Sequence, residues 1–123
     1  ENQRGAEAAL KAMGMTFAES TTYKRGATDF SSQVAKLKAA GCDVVVLGTV
    51  VRESVGVLVE AQKIGFKPAF LAPLPAYHHL VPMLSKGAAE GLYAVASVDY
   101  PYVDAPGTAG DWAKRYKSRF SDD

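Results

Sequence analysis

The run Asp43-Val44-Val45-Val46-Leu47-Gly48 is the strongest strand signal in the chain. Its apolar residues follow one another without alternation, which predicts burial on both faces, as in the middle of a parallel sheet. Just upstream, Phe30, Val34, Leu37 and Ala40 recur at helical spacing, with Asp29 placed to cap the first turn and Gly41 to close the last. Downstream, Val55, Leu58, Val59 and Ala61 mark a helix over about residues 52–64 that stops at Gly65. Ala69-Phe70-Leu71-Ala72 predicts a short strand that leaves through a Pro73-Leu74-Pro75 loop. A short helix over 77–84, a strand over 91–98 and a last helix over 109–120 follow. At the other end, Ala6, Ala9, Leu10 and Met13 form a helix ending at Gly14, and 15–23 alternates loosely enough to suit a strand. Strands and helices in strict alternation predict an α/β layer with a parallel sheet and right-handed crossovers.

A chain of 123 residues suits one modest domain. With 48% hydrophobic and 22% charged residues it has a globular rather than a disordered composition. Fourteen Lys and Arg against thirteen Asp and Glu leave a formal charge of +1, and no basic run gathers locally, so no nucleic-acid partner is expected. Cys42 is the single cysteine, which excludes an internal disulfide and a Cys-rich zinc site; a small buried residue is its expected role. No apolar stretch approaches the ~18 residues of a membrane span. The opening Glu1-Asn2-Gln3-Arg4 has no initiator Met and leads into a helix without a preceding strand, which suggests a mature product or an excised piece.

Catalytic and metal motifs are missing from the sequence. There is no Gly-x-Ser-x-Gly elbow, no phosphate loop and no Gly-x-Gly-x-x-Gly after a strand, so no enzyme and no cofactor is expected. His78 and His79 are adjacent and point about 100° apart on a helix, so they cannot share a metal. Ser31-Ser32 after Asp29 reads as helix capping rather than a nucleophile. Glu53, Glu60 and Lys63 read as a solvated helix face.

The stretch from Gly26 to Gly48, GATDFSSQVAKLKAAGCDVVVLG, closely resembles the type I periplasmic solute-binding proteins of ABC transporters, the branched-chain amino-acid-binding group. The similarity continues through Leu58-Val-Glu-Ala-Gln-Lys-Ile-Gly-Phe-Lys67 and Gly87-Ala-Ala-Glu-Gly-Leu-Tyr93 to Trp112-Ala-Lys-Arg-Tyr116. The resemblance implies a three-layer α/β/α fold with a mostly parallel sheet, one lobe of two that close on a small molecule. Every matching segment belongs to that family's second lobe, so residues 1–123 are expected to be an incomplete second lobe. The first lobe, the opening strand and the C-terminal return segment have no counterpart in the sequence. It also implies a periplasmic location, an ABC transporter permease as partner and a small-molecule ligand, with self-association as a way for an incomplete sheet to be covered. A ligand-sensing regulator of the same fold and a nucleotide-binding α/β enzyme that has lost its motif strand are the alternatives.

Open parallel sheets bind ligands where loops leave the carboxyl ends of the strands. Thr49 and Val50 follow the valine run and lead into a helix start, where free amides and a hydroxyl suit a carboxylate or polar edge; Thr49 as a plain helix cap is the alternative. In the second loop, Pro73, Leu74 and Tyr77 form an apolar wall, unless Tyr77 merely packs the helix start. By resemblance, position 74 carries an acid in amino-acid-binding relatives, and Leu74 cannot pair with an ammonium group. Arg4 stands where the family usually has an aromatic residue and can grip a carboxylate bidentately, or lie solvated at the surface. Tyr100 follows the last strand, where the family's hinge begins. Arg4 present and the acid absent at Leu74 together imply an amine-free organic acid, an aromatic carboxylate for example.

Overall fold

The computed structural model describes residues 2–97 and 102–120. Five α-helices occur among them: α1 (Asn2–Ala12), α2 (Ser31–Ala39), α3 (Val51–Lys63), α4 (Leu80–Ser85) and α5 (Gly107–Phe120). Three strands, β1 (Val44–Val46), β2 (Ala69–Ala72) and β3 (Leu92–Ala94), form one parallel sheet in that order. Val45 pairs with Phe70 and Phe70 with Leu92, so the strands run in step and all end on the same side. Helix α3 connects β1 to β2, and a 3-10 turn (Leu74–Ala76) followed by α4 connects β2 to β3. The fold is the expected α/β arrangement.

One face of the sheet carries the core. Val45, Leu47, Phe70 and Ala72 point into it and meet Val34 from α2, Val57, Leu58 and Ala61 from α3, and Val81 from α4. Leu58, Val34 and Val81 are at most 1% exposed, and full burial of such a side chain stabilises by about 1.5–3 kcal/mol. The other face differs from expectation. Val44 and Val46 of β1 are 53% and 40% exposed, and Leu71 and Tyr93 beside them are open as well. The unbroken valine run predicts two dry sides, but among the described residues α2, α3 and α4 cover only one.

Residues 15–23 also depart from expectation, since they form no strand among the described residues. A strand needs a ladder partner, and the edge β1 offers is not paired to this segment. The segment is instead tied by side chains. The Tyr23 hydroxyl donates to the Gly48 carbonyl at 3.0 Å, and the Gln33 amide donates to the Thr22 carbonyl at 3.2 Å. The Tyr23 ring also meets Phe30 edge-on, with centroids 5.7 Å apart.

Helix ends follow the local chemistry. Gly41 and Gly65 hold φ of 68° and 65°, the left-handed conformation that lets Cys42 N–H reach Leu37 O and Phe66 N–H reach Ala61 O. Asp29 sits one position earlier than a cap at the start of α2 would: Phe30 is the cap residue, and Asp29 Oδ1 accepts the Ser31 N–H at 2.9 Å. The Ser31 amide and then its hydroxyl hold the Asp29 carboxyl below the ordinary aspartate value of 3.8. A depressed native value stabilises the fold above the ordinary one, and that contribution disappears as pH falls through the native value. Asp29→Ala is therefore expected to lower the thermal midpoint at pH 7. Its gap to wild type should close as the pH is taken well below 3.8; a gap that persists unchanged there refutes the capping account.

Helix α3 approaches Phe30 closely. A Cβ placed on Gly56 would stand 2.7 Å from Phe30 Cε2 and 2.8 Å from Cδ2, closer than packed atoms tolerate.

Candidate functional site

Two of the expected loops come together. β1 and β2 are adjacent and parallel, with Val46 beside Leu71, so Thr49–Val50 and Pro73–Tyr77 leave the sheet from neighbouring strand ends. Leu74 and Tyr77 are 42% and 45% exposed, and Val50 is half-exposed, which gives this end of the sheet an apolar, accessible wall. The 3-10 turn holds Leu74 and Tyr77 in a fixed relation through Tyr77 N–H to Leu74 O at 2.9 Å. Arg4 lies exposed on α1, and its side chain makes no hydrogen bond or ion pair among the described residues. Tyr100 lies outside the described residues.

Thr49 is buried, and its hydroxyl is 2.7 Å from that of Ser54, which is fully buried one turn into α3. No side chain caps the first turn of α3, whose cap residue is Val50. Thr49 therefore braces the junction of β1 and α3 from within instead of capping the helix.

Glu53 departs from its expected place on a solvated face: it is 4% exposed. The Glu60–Lys63 pair at 3.0 Å does lie on the outside, with the Lys63 side chain 64% exposed. Arg52 Nη2 donates to Glu53 Oε1 at 3.1 Å, whereas Glu53 Oε2 is buried without a hydrogen-bond partner among the described residues. The backbone N–H of Glu53 and the Arg52 guanidinium hold this carboxyl below the usual glutamate range, outweighing the burial that opposes ionisation. The neighbouring Tyr23 phenol is raised, first by burial and then by the Glu53 charge. The signal for Glu53 was present in the spacing, since 53, 57, 58 and 61 form the inward stripe of α3.

His78 and His79 stack with ring centroids 4.4 Å apart, and His78 Nδ1 accepts the Leu80 N–H at 3.2 Å, a role at the start of α4. Among the described residues no group of three or more His, Cys, Asp or Glu side chains is placed to hold a metal ion. A surface groove of about 400 Å³ lies between α1 and residues 15–17, lined by Leu10, Met15 and Phe17. Glu7, Lys11 and Thr16 line it as well, but it is remote in the chain from the strand ends, where an open parallel sheet binds its ligand, so the strand-end loops are the better candidate.

A family model described as "Periplasmic binding protein" matches residues 1–123. The chain is 28% identical over 120 residues to the Leu/Ile/Val-binding protein homolog 7 of Brucella abortus (strain 2308), covering 94% of this chain and 30% of the relative. The same figures hold for the homolog 7 of Brucella suis biovar 1. The fold is similar to the crystal structure of a leucine-binding protein from Thermotoga maritima, with a TM-score of 0.75 and 19% identity over 92% of this chain and 32% of that one. The chain thus spans about 30% of the length of the curated relatives it matches. The parallel sheet, the strand-end loops and the end-to-end family match agree, and the chain belongs to the periplasmic binding protein family, with the fold of its type I, branched-chain amino-acid-binding group.

Proposed function

We propose that the chain is the second, ligand-gripping lobe of an extracytoplasmic solute receptor that closes on a small organic acid and delivers it to an ABC importer. An aromatic carboxylate suits the site better than an α-amino acid. The observation that carries this reading is the β2 loop: Pro73, Leu74 and Tyr77 offer exposed apolar surface and no acid to pair with an ammonium group. A cation buried there without a counter-charge would lose several kcal/mol. Arg4 is the carboxylate-binding residue in this reading. Closure stabilises the liganded form by differential contact, which needs no covalent step. The periplasm is the compartment that fits the family, and the bare sheet face together with the exposed Trp112, Tyr116 and Phe120 of α5 supports self-association when those surfaces are left uncovered.

A thermal-shift panel on the full-length protein tests the ligand class. An aromatic carboxylate at a hundredfold excess over its Kd is expected to stabilise by about 2.7 kcal/mol, and Leu, Ile and Val to do much less. Arg4→Ala should weaken the aromatic acid, and Leu74→Glu should shift preference toward amino acids by supplying the missing acid. A response confined to α-amino acids in the unaltered protein overturns the amine-free reading.

A further inference from the structure

We propose that Glu53 is a specificity-determining residue of this site, whose unpaired Oε2 receives a hydroxyl donor from the ligand, so that the preferred ligand is a hydroxylated carboxylic acid. The inference rests on the receptor reading above. Glu53 stands in the first turn of α3, three residues beyond Val50, at the junction where the β1 loop becomes helix. Its side chain is buried, and one of its two oxygens has no partner among the described residues. A buried carboxylate oxygen left unmatched is a standing cost, and such groups in native structures call for an occupant.

Several polar groups around it are engaged elsewhere, and the Arg25 charge acts on it only from a distance, without a hydrogen bond. Arg52 uses Oε1, Thr49 and Ser54 bond to each other, and the Tyr23 hydroxyl donates to Gly48 O. The Arg52 guanidinium at Oε1 favours the ionised carboxyl, which accepts hydrogen bonds and has none to donate. A ligand's carboxylate is repelled at this point, and what arrives must bring a donor. An ammonium group would serve Oε2 as well as a hydroxyl does, so the hydroxyl follows from the amine-free reading of the β2 loop, and the phenylalanine arm below tests that choice. Oε2 is itself shielded from water, while the flanking residues Val50 and Arg52 are half-exposed or more; in this proposal those surface side chains move aside as the ligand arrives.

The test compares matched pairs on the full-length protein by calorimetry: benzoate with 3- and 4-hydroxybenzoate, 3-phenylpropionate with phenyllactate, and phenylalanine as the amine arm. Wild type is expected to bind the better hydroxylated member about tenfold or more tightly than its deoxy partner, as a charge-assisted hydrogen bond provides. Glu53→Gln should reduce that ratio to roughly threefold or less by weakening the hydroxylated member more than its deoxy partner, and Glu53→Asp should give an intermediate ratio. A purely structural Glu53 would weaken both members equally, and that result overturns the inference, as does a wild-type preference below about twofold, whatever the variants do. Tight phenylalanine binding lost in Glu53→Gln would keep Glu53 as the donor-reading residue and overturn the amine-free ligand. Silence across every pair overturns the receptor reading itself and the inference with it.

Discussion

Phe30→Ala is expected to lower stability by about 3–5 kcal/mol, the range for removing a large buried aromatic. The ring is 3% exposed and joins three parts of the chain: the Tyr23 turn, the start of α2 and the flank of α3 at Gly56. Its loss removes apolar burial, the edge-to-face contact with Tyr23 and the surface on which α3 rests. Residues 15–23 are then held by the Tyr23 bond to Gly48 O and the Gln33 bond to Thr22 O, without the ring contact. The expected outcome is a large fall in the urea midpoint, with earlier proteolysis between residues 15 and 25. A loss below about 1 kcal/mol would show that the Phe30 contacts do not hold the layer together.

Gly56→Ala is expected to destabilise by about 1–3 kcal/mol, against the local preference of a helix for alanine. In an open helix position this change gains roughly 1 kcal/mol. Here the new methyl would stand 2.7 Å from a buried ring edge, and a ring packed between Tyr23 and α3 cannot swing aside as a flexible side-chain end would. Overpacking therefore outweighs propensity. The two substitutions share one contact and should not add. In a Phe30→Ala background the space is empty, and Gly56→Ala should become stabilising by roughly 0.5–1 kcal/mol. Measuring the four members of this cycle checks both arguments at once; an effect of Gly56→Ala that keeps its sign without Phe30 refutes the clash.

Element order and type were legible because each signal is local. The stripe of α3, the glycines that end α2 and α3, and the β1 run are set by spacing and backbone sterics within a few residues. What was not legible depends on partners far along the chain. Residues 15–23 have strand-like composition, but a ladder needs a neighbour, and no local pattern reports whether one is present. Val44 and Val46 have the same hydropathy as Val45, so only the layer above decides which side is wet. In the candidate site, the two strand-end loops follow from the parallel order of the sheet. Glu53 was hidden because a charge on a helix is normally solvated, and its place in the inward stripe was the weaker cue.

The uncovered face of the sheet has a thermal consequence. Val44, Val46, Leu71 and Tyr93 present adjoining apolar surface to water, and the free energy released on covering it, about 25 cal/mol per Å², is largely entropic near room temperature. Any contact made through that face therefore tightens on warming and loosens in the cold. Added chloride would leave it largely untouched, whereas sulfate would strengthen it, because the attraction lies in displaced water and not in paired charge.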